Sequence, residues 1–73
     1  MEQYDQALIQ QMFDQNPHFR MLYEEHLLLE KELTQINQKP FLSAEEELEK
    51  KKIQKLKLAG RDEMERLLRS QRQ

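Results

Sequence analysis

Phe19, Leu22, His26, Leu29, Leu33 and Ile36 follow one another at intervals of three, four, three, four and three residues. That rhythm returns each side chain to one face of an α-helix and would scatter them over both faces of a strand. It commits the middle of the chain to a helix that buries a stripe, with His26 as the stripe's one polar member. The stripe spans less than three heptads, which suits a short helical pair better than a long coiled coil. Composition points the same way. Valine is absent, and β-branched residues are limited to three isoleucines and Thr34. The residues that dominate (Leu, Glu, Lys, Gln, Arg, Met) are helix formers. The expected fold class is all-α.

Local signals divide the chain into three helices, expected at about residues 4–15, 17–38 and 44–70 of a single small domain covering 1–73. In the first, Leu8, Ile9, Met12 and Phe13 fall at helical spacing. A helix of about three turns is too short to persist alone and must dock. Asn16-Pro17 then reads as a break and a restart. Asn is a strong N-cap, and proline is favoured at the first helical position. Asn37, Pro40 and Ser43 interrupt the second periodicity, and Ser43 with Glu46 fits a capping box. Glu45, Glu46, Glu47 and Glu49 open the third helix, and Arg61, Arg66, Arg69 and Arg72 lie toward its end, both in accord with the helix dipole. Glu46–Lys50 and Glu47–Lys51 have the spacing of i,i+4 ion pairs.

The third helix carries a stripe of Ile53, Leu56, Gly60, Met64 and Leu67, with Leu48 and Leu68 at its margins. A short connection makes helices two and three an antiparallel hairpin. Leu33 is then expected near Leu48, His26 near Leu56, and Phe19 and Leu22 near Gly60 and Met64. Gly60 would make room for Phe19 or Tyr23.

A chain of 73 residues buries only about 60% of its unfolded surface. With no cysteine, disulfides cannot compensate, and oligomerisation is the most available support. Met21 and Leu28 lie far round helix two from the stripe, and Leu58 far round helix three. These three are the expected protein interface, in a homo-oligomer or against another protein.

No catalytic, cofactor-binding or metal-binding residue is expected. His18 and His26 are eight residues apart, roughly 12 Å along a helix, too far to share a metal. The acidic neighbours Glu24–Glu25 and Asp62–Glu63 diverge by about 100°. One glycine makes no phosphate loop, and Ser43 and Ser70 lack His–Asp partners. The expected function is a non-enzymatic helical interaction module. The alternative is nucleic-acid association through the basic run Lys50, Lys51, Lys52, Lys55, Lys57 and Arg61. Against that alternative stand the acids flanking the run, the lack of interleaved aromatics for base stacking, and a net charge of −2. The N-terminus "MEQYDQALIQ" lacks the basic and apolar regions of a signal peptide, and no apolar run reaches the roughly 18 residues of a membrane span. A cytoplasmic protein without membrane contact is expected.

Two blocks, "NPHFRMLYEEHLLLEKEL" and "KLAGRDEMERLLR", resemble the YdcH-like family of small bacterial proteins. The likeness rests on Asn16, Pro17 and Phe19, then His26, Leu29 and Glu30, then Lys57, Leu58, Asp62 and Glu63, and covers roughly residues 13–69. Arg61 stands where the family often has lysine, and Gly60 departs from its usual leucine. The resemblance implies a self-associating helical hairpin in a bacterial cytoplasm, and no activity.

Overall fold

The computed structural model describes residues 4–72, with side chains from Tyr4 to Ser70. It contains three helices, α1 (Gln6–Gln15), α2 (Pro17–Asn37) and α3 (Ala44–Arg72), and no strand among the described residues. The fold is all-α.

α1 begins two residues later than the sequence suggests because Asp5 caps it, its Oδ1 accepting the Ala7 amide at 3.0 Å. Tyr4 therefore precedes the cap, and Ile9 falls at the fourth helical position. These are the two positions of a hydrophobic staple. Both are buried in the same cluster.

The α1–α2 junction is made by two side chains working in opposite senses. Asn16 Oδ1 accepts the amides of His18 and Phe19 at 3.0 and 3.1 Å, which closes the start of α2. Arg20, one turn into α2, reaches back to the end of α1. Its Nε donates to the Phe13 carbonyl and its Nη2 to the Asp14 carbonyl, both at 2.9 Å. The guanidinium also stands 5.5 Å from the centre of the Phe13 ring, within cation–π range. The last turn of α1 has no basic residue of its own, so the positive charge that complements its C-terminal carbonyls comes from the next helix.

α2 and α3 lie against each other with their contacts in reverse chain order. His18 meets Glu63, Glu30 meets Lys57, and Lys39 meets Glu46. At the end where α2 starts, α1 closes a core of Tyr4, Ile9, Met12, Phe19, Met64 and Leu68. Phe19, Met64 and Leu68 are fully enclosed. Phe13 packs edge-on against Tyr23 with centroids 5.6 Å apart. Nearer the connection between α2 and α3, Ile36 and Ile53 are each buried.

The inner line of α3 differs from expectation. It passes through Ile53, Lys57, Gly60, Met64 and Leu68, whose side chains or backbone are buried or half-buried. Leu56 and Leu48 are exposed, and Leu68, expected at the margin, is fully buried. The reason is Lys57. Its aliphatic stem can lie in the interface while its ammonium reaches Glu30 Oε1 at 3.8 Å, so a lysine occupies the place that hydrophobicity alone assigns to the neighbouring leucine. Glu46 also departs from expectation. It pairs with Lys39 rather than Lys50 and completes the capping box, accepting the Ser43 amide at 3.0 Å while its own amide donates to Ser43 Oγ at 3.1 Å.

Two outcomes follow for stability. Arg20→Ala leaves two α1 carbonyls without their charged donor, so it is expected to destabilise by about 1–2 kcal/mol, with α1 loosening first. Amide exchange in α1 relative to α3 reads this, and equal loss in both helices would contradict it. Glu46 is the second. Its hydrogen bonds from Lys39 and then from Ser43 hold its carboxyl at about 2 rather than the ordinary 4.5. A depressed folded-state value contributes stability above pH about 4.5 that disappears as pH falls toward 2. Glu46→Gln is therefore expected to be less stable than the wild type at neutral pH, with the gap closing across that window. A gap independent of pH would count against the pairing.

Candidate functional site

Gly60 opens onto a groove between α2 and α3. It lies mid-helix without positive φ, and a Cβ built there would meet nothing within 4 Å. Phe19 and Tyr23 therefore do not fill the space at Gly60, contrary to expectation. Phe19 is drawn instead into the α1 core with Met64 and Leu68. The space left is an open groove of about 210 Å³ between α2 and α3. Leu22, Leu29, Leu56 and Ala59 give it an apolar lining, Glu25 and Glu63 bring carboxylates from the two helices, and His26 also faces it.

His26 is oriented by its own helix. Nε2 lies 3.0 Å from Glu30 Oε1, and the ring is 19% exposed. Nδ1 is buried and has no hydrogen-bond partner. Lys57 approaches the same Glu30 oxygen, so a His26–Glu30–Lys57 line crosses the interface at the groove. Among the described residues, no group of three or more His, Cys, Asp or Glu side chains could hold a metal ion.

Met21, Leu28 and Leu58 are 56%, 61% and 55% exposed. They do not form one patch. Met21 and Leu28 project about 110–130° round α2 from its buried stripe, on the flank where Glu25 and the groove lie. Leu58 projects by a similar angle in the opposite rotational sense round α3, away from that flank. Leu56, which the sequence reading placed inside, instead joins Met21 and Leu28 beside the groove.

The six basic residues also divide. Lys57 pairs with Glu30, and Arg61 Nε approaches Glu65 at 4.0 Å. Lys50 is half-buried toward α2. Lys51, Lys52 and Lys55 are exposed. They spread over more than one face of α3, because consecutive residues turn by about 100°.

Gly60→Ala is expected to raise stability by about 0.4–1 kcal/mol, since the methyl meets open space and the unfolded chain loses freedom. A lowered denaturant midpoint would show that a neighbour closes on Gly60 in solution.

No helix among the described residues is long and apolar enough to cross a membrane. Comparison of the chain with protein-family models, with curated protein sequences and with solved structures gives no match.

Proposed function

We propose that the chain is a non-enzymatic helical interaction module of the cytoplasm. In this reading it is an antiparallel helical hairpin braced by a short first helix, and it acts by associating with further copies of itself. The observation that carries the reading is the number of large apolar side chains left in water. Met21, Leu27, Leu28, Phe41, Leu48, Leu56 and Leu58 are 45–87% exposed, against eight apolar residues buried among those described. Full burial of such a side chain is worth roughly 1.5–3 kcal/mol, a large part of the stability of a small domain.

Shape supports the same reading. The radius of gyration is 14.5 Å, against about 11 Å for a compact domain of this length. The accessible surface is 5698 Å², roughly 800 Å² above the value for a compact protein of this mass. That excess is about what one partner contributes to a standard protein interface. The motif order from Asn16-Pro17 to Asp62-Glu63 resembles the YdcH-like family, which adds support for a self-associating hairpin. Nucleic-acid association remains the second reading, favoured by one observation. Among the described residues, Lys51, Lys52 and Lys55 are exposed and in no ion pair.

Sedimentation equilibrium tests the reading. The wild type is expected to associate in the micromolar range, and Met21→Glu with Leu28→Glu to shift it toward monomer while retaining most helical signal. A wild-type monomer at high micromolar concentration would overturn it.

A further inference from the structure

The faces that the exposed residues occupy specify how copies would meet, given the self-association reading above. One face is the groove. Its floor is apolar, the His26 ring is part of its lining, and its carboxylates are Glu25 and Glu63, the latter also contacting His18 at 3.4 Å yet still exposed enough to meet a second cation. The other is the outer side of α3. Lys55 is two residues from both Ile53 and Lys57, about 200° round from each, so it stands opposite the buried line. Leu48, Lys51, Lys55 and Leu58 follow at steps of three and four and share that outer face. All four are exposed. Further along the same face, the exposed Asp62 is outnumbered by Arg66 and Arg69. The outer face is therefore a leucine-bearing basic stripe, and the groove is an apolar slot with acidic flanks.

A two-fold dimer places like patches together. Formed through the groove, it would bring Glu25 and Glu63 of one copy toward those of the other. Formed through the outer face, it would oppose Lys51 and Lys55 to themselves. Both arrangements set like charge against like charge, which disfavours association. Groove against outer face pairs apolar with apolar and acid with base. We infer that the occupant of the groove is the outer face of α3 from a second copy, in a head-to-tail assembly. Leu48 and Leu58 of one copy then lie along the slot of the next, and Lys51 and Lys55 meet Glu25 and Glu63. A docked pair leaves one groove free on one copy and one outer face free on the other, so the assembly grows into a ring or an open filament.

Complementary charge reversal tests this by sedimentation velocity at low salt. One variant carries Glu25→Lys and Glu63→Lys, the other Lys51→Glu and Lys55→Glu, with circular dichroism confirming that each retains its helix. Each variant alone is expected to associate at least tenfold more weakly than the wild type. An equimolar mixture is expected to recover association, because each groove again faces an outer face of opposite charge. A monomeric wild type would overturn the self-association reading and this inference with it. If the wild type associates but either variant alone does so as strongly, or the mixture recovers nothing, head-to-tail docking is wrong while self-association stands. If the Lys51→Glu, Lys55→Glu variant associates normally but no longer retains a duplex oligonucleotide that the wild type binds, the outer face serves nucleic acid and the inference is overturned.

Discussion

Two helix ends meet at Gln15–Pro17, and the rest of the structure depends on how their backbone groups are satisfied. A helix terminus leaves amides or carbonyls without intrahelical partners, and burying them unpaired is costly. Here one side-chain amide and one guanidinium resolve both ends within five residues, from Asn16 to Arg20. The exchange sets the angle at which α1 leaves α2. That angle places Tyr4, Ile9 and Met12 over Phe19, Met64 and Leu68. Without it, a helix of ten residues has too little propensity of its own to hold the position.

The consequence is a molecule finished at one end. α1 encloses the start of α2 and the far part of α3, whereas the middle of the α2–α3 interface is thinner. There the contacts are half-buried leucines, the stem of Lys57 and the line from His26 through Glu30. Gly60 deepens the deficit by leaving a groove where a side chain would otherwise stand. The sparse interior and the apolar exterior have one origin. In a chain this short, α1 covers one end of the helical pair, and nothing else within the described residues covers its flanks.

Features set by neighbouring residues were legible in the sequence. The Asn16-Pro17 restart, the Ser43–Glu46 box and the all-α class each follow from local chemistry, and the structure contains all three. Features that depend on how one helix is rotated against another were not. Hydrophobicity ranks Leu56 above Lys57 for the interior, yet a lysine stem can serve the interface while its charge finds Glu30. Arg20 gave no signal as a cap because its acceptors are backbone carbonyls six and seven residues back. A positive residue one turn into a helix that follows a break could have suggested it. Periodicity also marked Met21, Leu28 and Leu58 as lying off the stripes. That the first two share a flank with the groove and the third stands away from it needed the relative orientation of the two helices.

The central claim is that part of this chain's stability is held between copies rather than within one. The dependence of the denaturant midpoint on protein concentration tests it most directly, because binding that exists only in the folded state stabilises by mass action. The midpoint is expected to rise steadily as concentration increases from low to high micromolar. A midpoint that stays constant across that range would contradict the account, and would mean that the core closed by α1 is sufficient by itself.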